Sequence, residues 1–277
     1  MSIPPLDELR VALAGLESGP EREHESRGAV KLGGAMVEDA LRVAVAQGES
    51  RATVTLWLTP GGLDAAPPGT SAPTRERLRG ARLTAHVEVL LRAGAERDDA
   101  AWCAALTDAL AKHLEGVVLD PAAQRVWDAD EWRARRSGQP FRVEHHVFVD
   151  TLGPDDAGRS LVRTRGLAEF ARAELAMPNV AQAHVGTATW LLHALAEHTV
   201  GGPPLEPRHR ASFADAKVGL IATGELLEVA GPRFAADHVA RDASLAAALF
   251  VVDCDAADCG APEANDALLA HLKTHVN

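Results

Sequence analysis

The chain has no tyrosine, six phenylalanines and five tryptophans, so aromatic residues make up only 4 % of its 277 positions. A stacking platform for single-stranded nucleic acid needs successive aromatic faces, which such a composition hardly supplies. Positive charge is also scarce: 28 lysines and arginines face 39 acidic residues, for a formal net charge of −11. Phosphate backbones and anionic bilayer surfaces both demand a basic footprint, so neither nucleic acid nor a membrane is an expected partner. The longest apolar run, from Leu245 to Val252, falls far short of a bilayer-spanning helix. The first residues, Met1 to Arg10, show neither a basic start nor an apolar stretch, so no signal peptide is visible there. Three cysteines, Cys103, Cys254 and Cys259, are too few and too odd in number for a secreted disulfide framework. A cytoplasmic protein is the expectation.

Apolar residues make up 47 % of the chain and charged residues 24 %, the balance of an ordinary globular protein. With two isoleucines and four lysines against 24 arginines, the core is built from Leu, Val and Ala, and the bias reads as a GC-rich bacterial coding sequence. Length allows one large domain or two modest ones.

Periodicity predicts the elements. Helical spacing marks Pro5 to Leu16, and Val-rich alternation predicts a hairpin from Leu41–Ala46 and Ala52–Leu58. Pro60 to Thr74 collects four of the 16 prolines and reads as a flexible connection. The expected division is therefore 1–60, a linker at 61–77, and a main domain at 78–277.

In the main domain Leu83, Ala85, Val87, Val89 and Leu91 share one strand face, with Thr84, His86 and Glu88 on the other. A helix follows through Trp102, Leu106 and Leu110, and then a strand at Val117–Leu119. Asp128 starts a short helix that carries Arg133, Arg135 and Arg136 near its C-terminal end, where cations suit the helix dipole. Phe141 to Asp150 alternates as a strand, with Glu144 and His146 on its polar face, and Ser160 to Arg165 makes another. Gln182 to His198 is helical, Lys217–Thr223 and Glu225–Val229 read as a hairpin about Gly224, Ala246–Val252 is a buried strand, and Asn265 to His275 is a last helix. The order gives an α+β fold with antiparallel or mixed sheets, ferredoxin-like in outline.

The segment Leu161-Val162, Arg163-Thr164-Arg165-Gly166-Leu167, Phe170 and Ala173-Glu174-Leu175 carries a family likeness. So do Leu114-Glu115-Gly116-Val117-Val118 and Val126-Trp127-Asp128. Together they resemble bacterial proteins grouped as domains of unknown function 4026 and 4261, over roughly residues 80 to 225. Those proteins are similar in placing an apolar pair before His-Thr-His-Gly-Leu or a variant, then Phe and a Pro-Glu-Leu step. Here Ala173 stands where the pattern has proline, and Arg163 and Arg165 stand where it has histidine. Arginine stays protonated and does not ordinarily ligate metals, so a role resting on those histidines does not transfer. The resemblance implies no reaction.

Two constellations remain. If the 86/88 and 144/146 strands were neighbours, His86, Glu88, Glu144 and His146 would converge as an N/O set for zinc or iron, or as an acid–base group; the plainer reading is a solvated face with cross-strand charge pairs. Arg163 and Arg165, two apart on one strand, could clamp an anion bidentately, or could pair with Glu169 or Glu174. His145 reads as a core histidine. Cys254 and Cys259 lack the second pair that a zinc site needs, and His193 and His198, five apart, point to different helix faces. His-Glu-x-x-His, Gly-x-Ser-x-Gly and phosphate-binding glycine loops are absent from the sequence. A binding or interaction protein with a protein partner and no cofactor is the leading expectation. A hydrolase of an anionic small molecule is the alternative.

Overall fold

A computed structural model of the chain describes residues 21–32, 35–47, 50–63, 66–90, 96–137, 139–213, 216–223, 225–226, 243–253 and 261–275. The expected first helix, Leu91, Cys254 and Cys259 lie outside them. The chain divides into two compact units, Met1–Arg142 and Val143–Asn277.

The first unit is built on an antiparallel meander of β1 (Glu21–Leu32), β2 (Ala35–Gln47), β3 (Ser50–Pro60) and β4 (Leu83–Leu90), in that spatial order. The alternation read in the sequence sets the register, with Leu41 opposite Leu56 and Leu56 opposite Val87. A one-residue slip would turn all of these outward, so the buried face fixes the pairing. Helix α2 (Glu96–His113) covers that face: Leu106 and Leu110 pack with Leu41, Val54 and Leu56, flanked by Val87, Val89 and Trp102. Each fully buried leucine here contributes about 1.5–3 kcal/mol of apolar transfer.

The proline-rich stretch after β3 is not a domain linker. β3 and β4 on either side of it are paired strands, and between them stands helix α1 (Ala72–Gly80), capped by Ser71 with Pro73 in its first turn. Backbone bonds from Gly61 N–H to Arg82 O (2.8 Å) and from Leu63 N–H to Leu78 O (3.2 Å) tie the excursion down. The boundary falls at 142/143 instead, because proline and glycine mark turns within a domain as readily as junctions between domains.

After α2 come β5 (Val117–Asp120) and β6 (Arg125–Asp128), which form a two-stranded sheet of their own, and then α3 (Ala129–Arg135). Asp128 caps α3 as expected, its carboxylate accepting Glu131 N–H at 3.1 Å. The Trp132 indole N–H donates to Ala104 O at 2.9 Å, locking α3 to α2. Arg136 is buried against Asp120 at 2.7 Å and lies over the Trp132 ring at 4.6 Å. Of the basic cluster after Trp132 only Arg136 is buried; Arg133 is paired to Asp108 and Asp130, and Arg135 is exposed.

The second unit contains one six-stranded sheet in the order β10-β11-β12-β9-β8-β7. Its strands are β7 (Phe148–Leu152), β8 (Arg159–Arg165), β9 (Leu175–Ala181), β10 (Arg210–Phe213), β11 (Ala216–Ala222) and β12 (Leu249–Asp253). β9 and β12 are parallel; the other pairs are antiparallel. Helix α4 (Val185–Thr199) lies over β7, β8 and β9, and α5 (Pro262–Lys273) over β9, β11 and β12, the two helices touching. Leu161, Ala176 and Phe250 pack separately with Leu226, Leu245 and Ala248.

The protein is α+β, with one antiparallel and one mixed main sheet. The ferredoxin-like outline is not realised by these strands: β4 and β5, the two ends of the expected strand–helix–strand, belong to different sheets, and neither main sheet has an interleaved strand order. Two further expectations change. Of the 141–150 run only the last three residues are strand, the start of Phe148–Leu152, since Val143–His145 forms a single 3-10 turn. β11 pairs with β10 and β12, and Thr223 and Glu225–Leu226 are helical instead of a returning strand.

Candidate functional site

The stretch 159–175 is organised around a reversal. β8 runs into Gly166, whose φ of +114° is a conformation that L side chains avoid. A Cβ there would also collide with the carbonyl oxygen of His146, so glycine is required twice over. Leu167–Phe170 then make a 3-10 turn with Leu167 and Phe170 buried, and Ala171, at φ +52°, redirects the chain toward β9.

Glu174 holds this turn from the far side. Its carboxylate accepts the Thr164 hydroxyl at 2.7 Å, Gly166 N–H at 3.0 Å and Ala168 N–H at 3.2 Å. Thr164 in turn accepts Leu175 N–H at 2.8 Å, stitching β8 to β9 through side chains. Burial pushes the Glu174 carboxyl above its usual range, against the opposing pull of these bonds and of the Arg163 charge. The carboxylate works as a brace, a role that the sequence reading, which offered Glu174 only as a possible partner of the arginines, did not assign.

Arg163 and Arg165 do share a strand face, but they do not form an open anion clamp. Arg163 is 1 % exposed and sits on the same strand face as Leu161 and opposite Ala176, both members of the apolar cluster. Arg165 forms an ion pair with Asp150 on the neighbouring strand. Of the expected pairing of these arginines with Glu169 or Glu174, the field of Arg163 acts on Glu174. Glu169 meets His146 Nδ1 at 3.1 Å.

The His/Glu constellation does not assemble as a shared sheet face. His86 and Glu88 lie on β4, whose described partner is β3. Glu144 lies in a 3-10 turn and His146 directly after it, in the other unit. His86 stacks on Trp57, its cross-strand partner, at 4.7 Å and 4° between planes, and shares a 2.9 Å hydrogen bond with the Thr59 hydroxyl. Partial burial lowers its pKa below the ordinary imidazole value. His146 is buried, lying edge-on to Phe170 at 5.8 Å. Glu144 is exposed. Among the described residues no three His, Cys, Asp or Glu side chains gather in a way that would hold a metal ion.

One cavity of about 220 Å³ lies in the second unit, where α4 ends and the parallel strands β9 and β12 begin. Ala171, Ala173, Leu205 and Leu249 line it with Arg172 and Thr199. Arg172 closes the gap between turn and helix end, donating to Phe170 O, Thr199 O and Gly202 O, each at 3.1 Å. None of the six residues singled out from the sequence lines this cavity. It is also smaller than the roughly 300–1,000 Å³ of most ligand clefts.

No helix among the described residues is long and apolar enough to cross a membrane. Comparison with protein-family models, with curated proteins and with solved structures finds no match.

Proposed function

We propose that this is a bacterial cytoplasmic interaction protein, related to the domains of unknown function 4026 and 4261, whose role is to engage a protein partner. The observation that carries this reading is the fate of the chemically capable side chains. His86 is engaged by Trp57 and Thr59, His146 by Glu169 and Phe170, Arg165 by Asp150 and Glu174 by the 167–170 turn. Each group is committed to a local structural contact within its own unit. A net charge of −11 further favours a protein partner over nucleic acid.

The hydrolase alternative rested on a common sheet face for 86/88 and 144/146, and loses that support. The test is native mass spectrometry, with elemental analysis, of protein purified gently from its own host. A stoichiometric second polypeptide is the expected result. A stoichiometric metal or small anion on a bare chain would overturn it in favour of the enzyme.

A further inference from the structure

In a chain whose carboxylates outnumber its cations by 39 to 28, several arginines pair with acids. Arg133 meets Asp108 and Asp130, Arg136 meets Asp120, Arg159 meets Asp266, Arg165 meets Asp150 and Arg208 meets Glu225. The arginines of helix α1 are held differently. Four of the eight residues from 75 to 82 are arginine, and Arg75, Arg77, Arg79 and Arg82 are all exposed. Among the described residues Arg75, Arg77 and Arg79 have no carboxylate partner. Arg75 donates to Thr70 O at 3.0 Å and Arg77 to Glu115 O at 3.5 Å, contacts that hold the side chains without neutralising them.

The placement makes these charges a presented surface. Leu78 is the helix's single buried residue, so α1 lies on the unit by one edge and shows the rest of its circumference to solvent. Arg75 and Arg79, one turn apart, occupy one flank, and Arg77 the other. The Arg77–Glu115 contact sets α1 beside the end of α2, where Lys112 and His113 are also exposed. Glu76 lies within the cluster and Glu115 beside it. Two of the arginines stand in the last turn, where they complement the helix dipole. That role needs one or two cations near the end, and leaves Arg75 and the lysine beyond unexplained.

We propose that the exposed face of α1 is a docking surface for an acidic peptide segment of a protein partner, a reading that rests on the interaction role proposed above. Charge complementarity selects this occupant. Duplex DNA or an anionic bilayer would meet the same guanidinium groups, but would bring a large anionic surface against a molecule of net charge −11. A short acidic segment meets the arginines alone, and guanidinium forks suit its carboxylates bidentately.

The experiment is a titration of the full chain with a fluorescein-labelled ten-residue polyglutamate peptide, read by anisotropy and by amide shifts of residues 72–82. Binding that perturbs α1 and weakens about tenfold between roughly 50 and 300 mM salt is expected. The triple variant Arg75→Glu, Arg77→Glu, Arg79→Glu should weaken binding about tenfold or more. Arg75→Gln, Arg77→Gln, Arg79→Gln should do so less steeply, with circular dichroism unchanged in both. Absence of peptide binding, or binding that leaves 72–82 unshifted, would overturn the assignment. So would tighter binding to a 20-base-pair duplex or to phosphatidylserine vesicles. The two proposals fail separately: a host complex that survives charge reversal removes α1 and leaves the interaction role, whereas a host sample with no second polypeptide removes the role while the peptide titration still decides α1.

Discussion

At the scale of single residues, the side chains with most chemical promise are engaged as braces, and this sets the pH dependence expected of them. Because Glu174 has a raised pKa in the fold, the native state holds its proton more tightly than the unfolded chain does. Its contribution is therefore full below the ordinary carboxylate range and is lost as pH rises through the native value. Glu174→Gln keeps an acceptor and removes the charge. The stability gap between wild type and this variant should shrink as pH rises through that window, as urea unfolding at a series of pH values would measure. His86 behaves in the opposite sense. Its lowered pKa means that stability is complete above about 6.5 and lost as pH falls through the native value. His86→Phe, which preserves a ring on Trp57, should flatten that acid limb. Gly166 is governed by sterics alone: Gly166→Ala meets both a positive φ and the His146 carbonyl. A loss of about 2–4 kcal/mol is expected, with faster hydrogen exchange over 160–181 as the readout.

At the scale of elements, agreement with the sequence follows from how much of an element's stability is local. The β2–β3 hairpin, β4, α2 and the Asp128-capped α3 were all legible, because alternation, helical spacing and caps act within a few residues. Removing the α3 cap with Asp128→Ala should cost about 1 kcal/mol, detectable as a lowered urea midpoint with unchanged slope. The 141–150 run misled for a reason of the same kind. Its alternation of Phe141, Val143, His145 and Val147 is genuine, but Val143 and Val147 are buried about a 3-10 turn in which His146 N–H bonds Val143 O at 2.9 Å, with Val147 N–H reaching the same carbonyl at 2.7 Å. A period of two residues over so short a window does not exclude a tight turn that buries the same side chains.

At the scale of the whole molecule, two units with separate apolar clusters replace one large domain behind a linker. Among the described residues of 143–277 a six-stranded sheet is covered by two helices. Expressed alone, that segment should unfold cooperatively, and limited proteolysis of the full chain should leave 60–77 uncut while releasing fragments that end near 142. Calorimetry and mass spectrometry of the digests check both outcomes.

The sequence alone determined composition, charge and the local elements, because propensity, periodicity and capping are properties of neighbouring residues. It also delimited the 159–175 segment, while the demand for glycine at 166 came from the fold. Only the tertiary structure decided which strands share a sheet, and with that the fate of the candidate site. His86 and His146 are separated by 59 intervening residues that fold into α2, the β5–β6 sheet and α3. Whether such distant strands pair depends on the competition among all faces seeking burial. Here β4 found β3 and α2, while Arg163 was buried on the sheet face of Leu161. No local pattern records the result of that competition.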